Sequence, residues 1–90
     1  MDEVSRRIKI RITALGYSNL KAFHEIYVND GGQRSYHWWR SLDGSSSYND
    51  LKEAAVSLGV ASDVLLGEAK DSDTSLIREG VDLGRVKLHG

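Results

Sequence analysis

Residues Ser35–Gly44 read SYHWWRSLDG, and the fold turns on how this stretch is taken. Aromatic residues are enriched in strands. In a strand, neighbouring side chains point to opposite faces. Read that way, Trp38 and Trp39 cannot share a core, and one of them needs a second layer, a partner or a ligand.

The segments before it fit the same reading. RRIKIRITAL (6–15) alternates Ile8, Ile10 and Ile12 with Lys9, Arg11 and Thr13, the period of a half-buried strand. GYSN (16–19) reads as a hairpin loop, and LKAFHEIYV (20–28) as a second strand. Asp30-Gly31 is a turn pair that tolerates positive φ. QRSYHWWRSL (33–42) then completes a three-stranded antiparallel meander.

SSYNDLKEAAVSLG (46–59) carries the marks of a helix. Ser47 with Asp50 three residues on resembles a capping box, and Gly59 stands where a helix-ending glycine belongs. Tyr48, Leu51, Ala55 and Leu58 fall on one stripe. ASDVLLGEAK (61–70) reads as a short second helix capped by Ser62, and VDLGRVKLHG (81–90) as a bulged C-terminal strand. The expected fold is therefore one α+β domain over residues 1–90: a meander packed by the helix near 48–58, then a short helix and a strand.

Turn parity divides the meander into two faces. Ile8, Ile10, Ile12, Phe23, Tyr27, Tyr36, Trp38 and Leu42 form the expected core. Arg7, Lys9, Arg11, His24, Ile26, Val28, His37 and Trp39 form the other face, which is basic, aromatic and partly apolar. Apolar patches of that kind mark interfaces, so these eight residues are the candidate partner-binding set. The competing arrangement has the C-terminal segment, with Leu76, Ile77, Val81, Leu83, Val86 and Leu88, folded over Trp39.

Composition narrows the function. The 90 residues include 12 Lys/Arg and 13 Asp/Glu, a formal net charge of −1, which argues against a generic polyanion binder. The charge is uneven: residues 1–45 hold seven Lys/Arg against five Asp/Glu, and residues 46–90 hold five against eight. There is no cysteine, hence no disulfide and no thiolate metal site, which fits a cytoplasmic protein. No apolar stretch reaches the length of a membrane span, and MDEVSRRIKI lacks the apolar run of a signal peptide.

The chemical motifs are weak. No serine sits in a G-x-S-x-G elbow and no glycine-rich phosphate loop follows a strand, so neither catalysis nor a cofactor is expected. In the meander register His24 and His37 lie opposite each other, but a zinc site needs further ligands and none is at hand. DSDTSLIREGVD (71–82) echoes a calcium loop, yet Leu76 replaces the turn glycine and Asp82 the final glutamate. LKEAAVSLGVASDVLL (51–66) has helix-turn-helix spacing, with Ala55, Gly59, Val60 and Leu65 in the structural positions. Its second helix would offer Ser62, Asp63 and Glu68 to phosphates, with only Lys70 to attract them, so a plain helix pair is the better reading.

The expected function is a small non-enzymatic binding protein that engages a protein partner through the basic-aromatic sheet face or a sheet edge. The alternative is nucleic-acid binding through the same face, where rings stack on bases and cations hold phosphates. Unpaired sheet edges and an apolar face would also favour a homodimer.

Overall fold

Asp2, Asn19 and Ser35 each do the same local job, and it is not the one a meander would give them. Each offers a side-chain oxygen to backbone N–H groups at the start of a helix, which have no partner within the helix itself. Asp2 Oδ1 accepts from the amides of Val4 at 2.8 Å and Ser5 at 3.2 Å. Asn19 Oδ1 accepts from Ala22 at 2.8 Å, and Ser35 Oγ from Trp38 at 3.1 Å.

In the computed structural model, which describes residues 2–70 and 72–77, these caps open α1 (Glu3–Ala14), α2 (Leu20–Asn29) and α3 (Tyr36–Arg40). Then come α4 (Tyr48–Leu58) and α5 (Ser62–Leu66), and residues 72–77 are also helical. Among the described residues there is no strand. The α+β expectation is thus corrected: the protein is all-helical where it is described. The expected strand at 81–90 lies outside the described residues.

The alternation in RRIKIRITAL was a coincidence of two periods. Ile8 and Ile12 are two steps apart in a strand pattern and one step apart in the four-residue spacing of a helix. The buried stripe of α1 is Val4, Ile8, Arg11 and Ile12, which is helical; Ile10 is only half-buried. In α2 the buried residue is Phe23, with Leu20 and Tyr27 packed against the core three residues before it and four after it. NDGG does not turn a hairpin. It closes α2, where Asp30 N–H donates to the Ile26 carbonyl at 2.9 Å and Gly32 N–H to Tyr27 at 2.8 Å.

The paired tryptophans resolve in the same way. Helical neighbours are about 100° apart around the axis, so both can lean toward one side. Trp39 is 2% exposed and lies at the centre of an aromatic cluster. Its ring meets Phe23 at 5.0 Å, Tyr27 at 5.3 Å and Trp38 at 5.2 Å, each edge-to-face, the arrangement aromatic quadrupoles favour. Trp38 is half-buried at the rim. The expected roles of the two tryptophans are therefore exchanged, with Trp39 inside and Trp38 at the rim, while Ile8, Ile12, Phe23 and Leu42 of the expected core are buried.

The helix expected at 48–58 is α4. Ser47 Oγ accepts from the Asp50 amide at 3.2 Å, and Gly59 ends the helix at φ 72°. That left-handed conformation costs an L-residue with a Cβ and costs glycine nothing. The buried stripe is Leu51, Ala54, Ala55 and Leu58; Tyr48 stays exposed. Two alanines let α4 approach its neighbours closely. After the Gly59 turn, α5 has Ala61 at its N-cap and lacks the side-chain cap expected from Ser62, which is its first helical residue; it buries Val64 and Leu65 and packs on both α4 and α1.

Arg11 ties α1 to the end of α4 and to helical residues 72–77. It is fully buried and donates Nε to the Leu58 carbonyl at 2.7 Å, Nη1 to Leu76 at 2.8 Å and Nη2 to Gly59 at 3.4 Å. Carbonyls at a helix C-terminus have no partner within the helix. A guanidinium, with its five N–H donors, is suited to satisfy several of them at once.

Candidate nucleic-acid interface

The eight residues expected to share one sheet face do not share a surface. Arg11 and Trp39 are buried in the core. On α1, the Arg7 side chain is largely covered, with Nη2 3.4 Å from Glu3 and Nε 3.9 Å from Asp73, while Lys9 is exposed. On α2, His24 and Val28 lie four residues apart on one side and line a shallow depression with Glu25 and Asn29. Ile26 points the other way, into a groove of about 490 Å³ whose walls include Val56 of α4. His37 is exposed on α3. The apolar patch expected from Trp39, Ile26 and Val28 is not formed, because its largest member is inside.

What the fold does assemble is a surface around α3. The helix is one turn and a half long, and Trp39 is its buried residue. Trp39 thus nails α3 to α2 through Phe23 and Tyr27, and apart from half-buried Trp38 the remaining side chains of the helix are left to solvent. Tyr36, His37, Arg40 and Ser41 are exposed, as are Gln33 and Ser35 just before them. All of these can donate or accept hydrogen bonds. Lys21 of α2 adds an exposed cation.

The connection entering α3 is tightly held. Arg34 N–H donates to the Tyr27 hydroxyl at 2.9 Å, and the Arg34 carbonyl accepts from His24 Nε2 at 2.9 Å. The guanidinium forms a bidentate pair with Glu53 of α4, at 2.7 and 2.9 Å, and lies 4.7 Å from the centroid of the Trp38 ring. Asp50 is 4.0 Å away. The hydrogen bonds from Arg34 hold the Glu53 carboxyl below its usual range, and the same bonds raise Arg34 further. The expected pairing of His24 with His37 is replaced by this arrangement: His24 serves the Arg34 backbone and its ring packs edge-on to Tyr36 at 5.9 Å. Among the described residues no cluster of three or more His, Cys, Asp or Glu could hold a metal ion. Among them, too, no helix is long and apolar enough to cross a membrane.

The sequence reading missed Lys21, Gln33, Arg34, Tyr36 and Arg40. The signal that could have found Tyr36 and Arg40 was Ser35 as a helix cap: it starts a helix whose fourth residue is Trp39 and so turns Tyr36 and Arg40 to solvent.

No known protein family matches this chain, and neither a curated protein nor a solved structure does.

Proposed function

We propose that this chain is a non-enzymatic domain that binds duplex DNA, with α3 and the residues before it as the reading surface. The observation that carries this is the division of labour on α3: one buried tryptophan fixes the helix, and every exposed position around it carries a hydrogen-bonding or cationic group. In a helix-turn-helix the first helix crosses the phosphate backbone and the second lays its side chains against base edges in the major groove. Here α2 is the first element and α3 the second, and the two pack together. Residues 20–41 hold Lys21, Arg34 and Arg40 against Glu25 and Asp30, with His24 and His37 in addition. Tyr36, His37 and Arg40 are the readers, and Lys21 is the phosphate contact.

The other helix-turn-helix, α4 and α5, is the poorer candidate. Its exposed side chains include Asp63 and Glu68, which a phosphate backbone repels. Its second helix uses Val64 and Leu65 for the core and has little left to present.

The competing reading is a protein-binding module. The groove between α2 and α4 favours it, since Ile26 and Val56 stand exposed on its walls at 43% and 73%. Self-association belongs to the same class of proposal, and a second copy would give a DNA-binding domain a second half-site.

The test is fluorescence anisotropy with mixed-sequence duplex DNA across a salt series. The proposal expects affinity to fall steeply as salt rises, because each neutralised phosphate releases counterions. Arg40→Ala and His37→Ala should weaken binding, while Asp63→Asn should not. Absence of salt-dependent binding, or equal loss on Asp63→Asn and Arg40→Ala, overturns the α3 assignment.

A further inference from the structure

We propose that Arg34 is a positioning residue for α3, acting as a strap that ties the reading helix to α4 through Glu53; this rests on the DNA-binding reading above. Both the backbone and the guanidinium of Arg34 are engaged. Its N–H is held by Tyr27 of α2, its carbonyl by His24 of α2, and its guanidinium by Glu53 of α4. The guanidinium also lies over Trp38 of α3 itself. The next residue, Ser35, is the cap of α3. One residue therefore carries bonds or ring contacts to three helices at the point where α3 begins.

The connection around it is shaped for the strap. Gly32 lies so close to the Tyr27 ring that a Cβ there would collide with it, and Gly32 N–H donates to the Tyr27 carbonyl at 2.8 Å. The chain folds flat over Tyr27, and this brings Arg34 N–H onto the hydroxyl of the same ring. A helix as short as α3 makes few hydrogen bonds of its own and takes its direction from what holds its ends. Trp39 fixes its depth. The strap fixes its rotation about that anchor, and with it the direction in which Tyr36, His37 and Arg40 point.

Simple electrostatics gives the strap a distinguishing test, because Glu53 is an acid. If it were only a charge near a DNA-binding surface, neutralising it would strengthen DNA binding. If it positions α3 through Arg34, neutralising it must weaken binding. The experiment measures duplex-DNA affinity across a salt series for the wild type, Glu53→Gln, Arg34→Lys, Arg34→Gln and Asp63→Asn, with fold-changes read at the lowest salt. It adds amide hydrogen exchange on the same proteins without DNA.

The expected result is a loss of affinity of about five- to tenfold for Glu53→Gln and for Arg34→Lys, which keeps the charge but not the bidentate fork. The salt slope should stay that of the wild type, since the strap itself touches no phosphate. Exchange at the α3 amides of Trp39 and Ser41 should rise by about tenfold, with α5 amides unchanged. Tighter binding by Glu53→Gln overturns the proposal, and so does an unchanged α3 exchange rate. A smaller salt slope in Arg34→Gln, which removes the charge, also overturns it, by making Arg34 a phosphate contact. If the wild type binds no DNA, the functional reading fails; the exchange data then still decide whether Arg34 and Glu53 hold α3.

Discussion

The helix pairs α2–α3 and α4–α5 use their second helices in opposite ways. In α4–α5 the second helix is structural. It gives Val64 and Leu65 to the core, packs on α1 as well as α4, and reaches α4 through the tight Gly59 turn. In α2–α3 the second helix gives the core one fully buried ring, rests Trp38 half-buried at the rim, and keeps Tyr36, His37 and Arg40 exposed. The connection is longer, and its position is set by hydrogen bonds and an ion pair instead of apolar burial. A helix committed to the core on two sides has nothing to offer a ligand. A helix pinned at one point has a surface free, and needs a second device to fix its orientation.

Trp39→Ala should produce the largest effect, because it removes the single pin of α3. Truncating a buried aromatic typically costs about 3–5 kcal/mol, from lost burial and the cavity left behind. That is a large share of what a domain of this size holds in reserve. Trp38→Ala should cost well under half as much, since its ring is half-exposed at the rim. Urea denaturation of the two variants side by side checks this. Equal costs would break the contrast between pin and rim.

Arg11→Ala comes next and probes the opposite unit. The guanidinium serves carbonyls at the end of α4, at the Gly59 turn and in helical residues 72–77, so its loss strands buried acceptors in both regions. Hydrogen bonds to charged groups are worth about 1.5–3 kcal/mol, so a loss near 3 kcal/mol is expected, with Arg11→Lys recovering only part. Hydrogen exchange should quicken first around Leu58 to Val60, not in α3. If α3 loosens first, the two units are not held independently.

These two residues also show what the sequence could reveal. The α4–α5 unit was legible because Ser47 and Gly59 frame a run whose period is plainly helical. Asp2 to Gly16 and Asn19 to Gly31 are framed in the same way, by a capping side chain and a positive-φ glycine. Their aromatic and β-branched content pointed to strands, and tertiary packing overrode that preference. Ile8 and Ile12 satisfy both periods, so α1 was ambiguous by pattern alone. Arg11 was assigned to a solvent face because nothing local announces a buried cation; its partners are 47 and 65 residues away along the chain. The candidate site was legible only in His37, because the burial of Trp39 had to be settled before its neighbours could be placed.

Gly59→Ala should have a middling effect, confined to the α4–α5 turn. The residue sits at φ 72°, where a Cβ costs about 1–2 kcal/mol. DNA affinity of the folded variant should be that of the wild type, since α3 does not depend on this turn. A loss of affinity beyond the loss of folded protein, measured by anisotropy at a temperature well below the melt, would show that the two units are coupled through α4.

The smallest effect concerns acid. Glu53 is held below its usual range by Arg34, so its folded pKa lies under its unfolded one. The stability this contributes is fully present above the unfolded value, about 4.3 for a glutamate, and is lost as pH falls through the depressed folded value. The pair is partly exposed, so the contribution is small and shrinks with salt. Glu3 and Asp43 are depressed as well, Glu3 by its hydrogen bond from Arg6 and Asp43 by those from Ser45, so the wild-type acid transition alone cannot isolate the strap. The difference between wild type and Glu53→Gln can, because the other two carboxylates titrate in both proteins and cancel. The gap in melting temperature should be constant from neutral pH down to the ordinary carboxylate range and close below it. A gap that persists at the lowest pH would mean that Glu53 acts through packing and not charge, and α3 would then be oriented by shape alone.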